Sequence, residues 1–130
     1  MRYLLSSVFA VLLGMALTID TAGAASITGA WRGNGLVKLT SGKAERIRCR
    51  IRYEEGSGRT FVVHVSCAHA HGTFQTSGRV VKLSNTRYTG RLYSEQHDVA
   101  GDVSISVNGR KQHIKATSSK GSATVTLTRQ

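Results

Sequence analysis

The chain has 130 residues, with 18 Lys and Arg against 7 Asp and Glu, a formal net charge of +11 and a pI near 10.5. That length leaves no room for two domains with separate cores. The charge excludes basic partners and favours anionic polymers or surfaces.

In chain order, Arg2 is followed by the apolar run "YLLSSVFAVLLGMAL" and by "TAGA", a small-x-small pattern ending at Ala24. This is the order of a secretory signal, and the run is shorter than the roughly 20 residues of a membrane-spanning helix. Residues 1–24 are expected to be a signal peptide and residues 25–130 a single domain, periplasmic or secreted, with no transmembrane anchor. Position 25 is Ala rather than Cys, so no lipid attachment is expected. Loss of the signal removes one base (Arg2) and one acid (Asp20), so the remainder keeps 17 − 6 = +11. Export makes intracellular nucleic acid an unsuitable partner.

From residue 25 onward the pattern is apolar–polar alternation, broken by turn residues and without proline. Alternation of this kind marks half-buried strands. Eight strands are predicted: 26–40, 44–54, 60–69, 72–83, 87–94, 98–107, 110–118 and 121–129. Short antiparallel strands joined by tight turns close into an up-and-down β-barrel, which leaves no sheet edge; a β-sandwich is the alternative. Inward positions include Trp31, Val37, Ile51, Tyr53, Val63, Val103, Ile105, Ile114 and Val125. Small residues among them, such as Gly33, Gly35, Gly90 and Ala116, suit either a cavity or tight coiling around a filled core.

Three hairpin details follow. A three-residue loop "SGK" sets Val37 opposite Ile47, and therefore Lys38 opposite Arg46 and Arg32 opposite Arg52. "NG" at Asn108–Gly109 fits a type I′ turn, which sets Val107 opposite Arg110 and Ile105 opposite Gln112. Placing Cys49 opposite Cys67 aligns Ile51 with Val65, Tyr53 with Val63 and Glu55 with Phe61, and leaves the turn on "GSGRT". The even cysteine count in an exported chain also predicts a Cys49–Cys67 disulfide. In strand four, Phe74 and Val80 require one face and Val81 and Leu83 the other, so a bulge is expected near Gly78.

The stretch "SITGAWRGNG" places a Gly-x-Trp on the first strand, and "TRYTGRLYS" (residues 86–94) follows later. The first resembles the calycin group, which includes lipocalins and avidins, and in which the Trp, here Trp31, plugs one end of the barrel. The second is similar to an avidin "RY…TGRYDS" segment. The resemblance implies the barrel fold. It does not extend to biotin binding: the chain has one Trp, and Gly33 stands where avidins carry a ligand-contacting Asn. The early Gly-x-Trp with a disulfide is also similar to bacterial periplasmic inhibitors of secreted metalloproteases, which act through an N-terminal segment. Here only "ASIT" lies between the expected cleavage site and Gly29.

Three groups of residues are candidates for function. Arg46, Arg48, Arg50 and Arg52 alternate along strand two and share one outer row. With Arg32 and Lys38 beside them they form either a site for phosphates or carboxylates or the solvated outside of a sheet. The row has no outward aromatic, which disfavours single-stranded nucleic acid. Trp31, Tyr53, Tyr88 and Gln112 are candidate contacts for a small apolar ligand in the lumen. "CAHAH" sets His69 and His71 on one strand face beside Cys67, weak candidates for a metal, because a disulfide removes the thiolate and the ligand set is incomplete. No catalytic motif is found: Gly-x-Ser-x-Gly, P-loop and His-Glu-x-x-His patterns do not occur. The expectation is a non-enzymatic binding protein without a cofactor, either a barrel holding a ligand or anionic envelope component, or a module acting on another protein.

Overall fold

The computed structural model describes Gly14 and residues 26–130; the signal segment expected over 1–24 otherwise lies outside the described residues. Eight strands run β1 (Gly29–Leu39), β2 (Ala44–Glu55), β3 (Thr60–His69), β4 (Gly72–Ser84), β5 (Arg87–Ser94), β6 (Val99–Asn108), β7 (Lys111–Ser118) and β8 (Gly121–Arg129). Each pairs antiparallel with the next, and β8 returns to β1, closing the barrel. Burial alternates along the strands as the sequence pattern requires: on β2, Ile47, Cys49, Ile51 and Tyr53 are buried while Arg46, Arg48, Arg50 and Arg52 are exposed. Apolar inside and charged outside is the polarity of a barrel in water; a lipid-facing barrel has the reverse. Among the described residues no helix is long and apolar enough to cross a membrane.

The disulfide hairpin forms in the expected register, with Cys49 opposite Cys67, Tyr53 opposite Val63 and Glu55 opposite Phe61. Two other hairpins differ, and in both a glycine decides the outcome. Between β1 and β2 the chain closes at Leu39 and Lys43, where Leu39 N–H donates to Lys43 O at 2.8 Å. The loop is therefore Thr40–Gly42, with Gly42 at φ +94°. A three-residue hairpin loop needs its positive-φ residue last, so the loop lies one residue earlier than expected. Arg32 then faces Arg50, Asn34 faces Arg48, Leu36 faces Arg46 and Lys38 faces Ala44. Between β6 and β7, Asn108 pairs with Lys111 and the loop is Gly109–Arg110. Positive φ occurs at Gly109 and not at Asn108 or Arg110, the pattern of a II′ turn with Gly first rather than a I′ turn. Val107 thus faces Gln112 and Ile105 faces Ile114. Both corrections preserve parity, so every side chain keeps its face.

No bulge occurs at Gly78: the β4 ladder is regular there on both sides. The irregularity lies between Lys82 and Ser84. Val80 is fully buried, and Val81 and Leu83 simply remain outside, 43% and 58% exposed. Two solvent-facing apolar side chains cost less than breaking the ladder across the centre of a strand.

The inward glycines serve coiling. A Cβ on Gly33 would lie 1.8 Å from the Thr126 carbonyl oxygen across the β1–β8 seam, and one on Gly90 would lie 2.1 Å from the Arg79 carbonyl oxygen across β4–β5. These seams are on opposite sides of the ring. The barrel is therefore bent sharply at two opposed corners, where only glycine permits the approach.

Candidate functional site

The two ends of the barrel are built differently. At the end where β1 begins and β8 ends, Trp31 is fully buried and donates from Nε1 to the Ile27 carbonyl at 2.9 Å. Arg129, from the last strand, lies over the Trp31 ring at 4.5 Å. Its guanidinium donates to the Thr28 carbonyl at 2.9 Å and to the Ser26 carbonyl. Ile27, Leu127 and Tyr88 complete this floor, and Phe61 meets Tyr88 edge-on at 5.6 Å.

Just above the floor, Tyr53 Oη donates to Gln112 Oε1 at 2.5 Å, both side chains being buried. Desolvation pushes the Tyr53 phenol well above its ordinary pKa, and the Gln112 hydrogen bond offsets only part of that shift. Burial likewise raises Tyr88. Gln112 Nε2 has no partner among the described residues. A neutral polar pair in a low-dielectric floor keeps its geometry because each broken hydrogen bond leaves a buried polar atom unsatisfied.

Above Tyr53 the lumen is not filled. A cavity of about 370 Å³ extends toward the other end. Its wall is mostly aliphatic and aromatic, with Ile47, Ile51, Val63, Val103, Ile105 and Phe74 among its members and the Cys49–Cys67 disulfide set into one side. Ala116 and Ala123, opposite each other on β7 and β8, are small enough to leave the space open. Hydroxyls interrupt the apolar wall. Thr76 on β4 and Ser94 at the end of β5 line the cavity, and the hydroxyl oxygens of both are buried with no partner among the described residues. The rim carries Glu45, His69, His97 and Lys120, so the mouth is polar.

The candidate residues are distributed as follows. Tyr53 reaches the cavity wall, whereas Trp31, Tyr88 and Gln112 form the floor beneath it. His69 points to the rim with Nδ1 3.7 Å from Glu45 Oε2. His71 does not share its strand face: β3 ends at His69, and His71 is exposed in the following turn. The backbone must reverse there to start β4, which breaks the alternation. Among the described residues no three His, Cys, Asp or Glu gather as a metal site. Arg32, Lys38, Arg46, Arg48, Arg50 and Arg52 are all exposed on the outer face.

Sequence reading missed Thr76 and Ser94, although both stand at inward parity, with Phe74 and Val80 on one strand and Leu92 on the other. A small polar residue at an inward position adds nothing to the apolar alternation, so the pattern did not single them out. It also missed Arg129, whose contact with Thr28 spans 101 positions and leaves no local signal.

No family model and no curated protein matches this chain. Solved structures do. It is similar to a redesigned β-barrel, mFAP1, bound to DFHBI (TM-score 0.66, 14% identity, 78% of this chain and 94% of that one). A de novo designed fluorescence-activating β-barrel gives a TM-score of 0.63 at 14% identity, covering 83% and 97%. The S-type phycobiliprotein lyase CPES from Guillardia theta gives 0.50 at 11% identity, covering 80% and 88%. At such identities the likeness concerns architecture alone, and what it establishes is a closed eight-stranded antiparallel β-barrel.

Proposed function

We propose that this is an exported, non-enzymatic barrel that binds a small, mainly apolar ligand in its lumen. The observation that carries this reading is the cavity of about 370 Å³ between a sealed floor and a polar mouth. Its volume lies at the lower end of the roughly 300–1,000 Å³ of small-molecule sites, and an apolar wall with a few placed polar groups is their usual chemistry. The partnerless hydroxyls of Thr76 and Ser94 suit a ligand bearing one hydrogen-bonding group part-way along an apolar body. The same architecture holds a small molecule in mFAP1, which is bound to DFHBI. Export is supported by the disulfide and by the signal-like opening of the sequence.

The inhibitor reading has less support. Ile27 is buried, and the carbonyls of Ser26 and Thr28 are held by Arg129, so residues 26–28 are anchored to the barrel rather than free to enter a protease cleft.

The test is titration with an apolar environment-sensitive fluorophore. Saturable enhancement is expected for the native chain and its loss for Ala116→Phe, which adds a ring to the lumen away from the floor. An unsaturable response, or equal binding by the filled variant, would refute a lumen site.

A further inference from the structure

Closure of the barrel assembles a charged surface that no single segment carries. The four arginines of β2 stand next to β1, β1 next to β8, and β8 next to β7. Across these strands the outward residues form three rows: Arg50–Arg32–Thr128–Lys111, Arg48–Asn34–Thr126–His113 and Arg46–Leu36–Thr124–Lys115. All twelve are exposed. Arg52 and Lys38 extend the band at its two ends.

Across this half of the outer wall the exposed acids among the described residues are Glu54 and Glu55, both at the end of β2, and Glu54 lies 3.9 Å from His64. The three ion pairs among the described residues (His64–Glu54, His69–Glu45 and Arg91–Asp102) engage none of the band's lysines or arginines. Arg32 and Arg50 are directly opposite across strands, an arrangement that destabilises a sheet. A surface maintained only for solubility would intersperse the two signs. Concentrated, uncompensated charge of one sign is instead what an anionic partner requires.

We infer that the β7–β8–β1–β2 face binds a linear polyanion bearing phosphate or sulfate groups. The chemistry selects this occupant. Guanidinium groups bind such oxyanions bidentately, and the β2 arginines recur every two residues, about 6.8 Å apart, over about 20 Å. This makes a straight rail that successive groups of one polymer can occupy. Hollows lie beside the rail: one reaches Asn34, Arg46, Arg48 and Ala68 and holds no carboxylate, so small neighbours leave those guanidinium groups accessible from the side, and the other reaches Ala30, Arg50, Arg52 and Ser66 together with Glu54 and Glu95. A membrane surface is disfavoured because interfacial binding also uses inserted apolar and aromatic groups. The band has no aromatic and only Leu36, 39% exposed. The same lack disfavours single-stranded nucleic acid, which stacks on aromatic platforms. This site is independent of the lumen.

The experiment compares three charge-matched double reversals by calorimetric titration with heparin and with long-chain polyphosphate, each variant first checked for native thermal unfolding. Arg48→Glu with Arg50→Glu should weaken binding at least tenfold. Lys111→Glu with Lys115→Glu, distant in sequence but on the same face, should weaken it threefold or more. Arg79→Glu with Arg87→Glu, on the far side of the barrel, should change it less than twofold. Native affinity should fall steeply with salt, as counterion release demands, and the β2 double should flatten that dependence. Equal losses in all three doubles would reduce the effect to net charge and overturn the proposal. So would failure of the native chain to bind either polymer, or binding to anionic phosphatidylglycerol vesicles as tight as to polymer at matched charge.

Discussion

The floor and the mouth of the barrel are made from the same eight strands, yet they do opposite work. At the floor, Trp31, Tyr88 and Leu127 interlock under Arg129, and the buried polar pair Tyr53–Gln112 is fixed by its own hydrogen bond. At the mouth, Ala116, Ala123 and the hydroxyls of Thr76 and Ser94 line empty volume, and charged groups form the rim. The difference teaches that close packing and open volume are separated along one axis. Substitutions at the floor should cost the fold, and substitutions at the mouth should leave it nearly untouched.

The largest effect is expected at the floor's centre. Trp31→Ala should destabilise the barrel by about 3–5 kcal/mol, the range for emptying a large aromatic from a core, measured by urea unfolding. Retention of native stability would mean that the floor does not seal the barrel. The disulfide lies between the two ends, joining β2 to β3 across 18 positions. Replacing both Cys49 and Cys67 by Ser should cost about 3 kcal/mol on the chain-entropy account, and thiol alkylation of the native protein should find no free cysteine.

A smaller effect tests the polar pair. Tyr53→Phe leaves Gln112 with a buried acceptor and buried donors all unsatisfied, and should cost about 1–3 kcal/mol. Adding Gln112→Leu removes those orphaned groups, so the double variant should recover stability relative to Tyr53→Phe alone. The pair also sets an alkaline limit. The folded-state pKa of Tyr53 is raised above the unfolded value, so its contribution is complete below the ordinary phenol pKa of about 10 and is lost as the pH climbs beyond it. Unfolding free energy should therefore fall above pH 10, and Tyr53→Phe should blunt that fall. Ultraviolet titration should find that Tyr53 ionises only on unfolding, a signal that Tyr53→Phe removes.

The smallest effects belong to the mouth. His69→Ala and Lys120→Ala, at the rim, should each shift stability by no more than about 0.5 kcal/mol, as surface substitutions away from packed features do. A loss comparable to that of the floor variants would erase the distinction between the ends.

Much of this molecule was determined by sequence alone. Alternation with period two decided which residues face inward, and turn residues bounded all eight strands to within a few positions, because the pleat and the special φ requirements of turns are local. The opposition of Cys49 and Cys67 was legible because disulfide, glycine-bearing turn and apolar parity all had to agree. Other features needed the tertiary structure. Whether a glycine ends or begins its hairpin loop shifted two registers while sparing every face, since that choice depends on backbone closure rather than on side-chain pattern. Whether the small inward residues would leave a cavity or collapse around one depended on where the glycines fell around the ring. Gly33 and Gly90 coil opposed seams, whereas Ala116 and Ala123 face open space. The arginine row was visible from the start, but its union with Lys111 and Lys115 was decided only when β8 met β1, a contact between the two ends of the domain that no local pattern encodes.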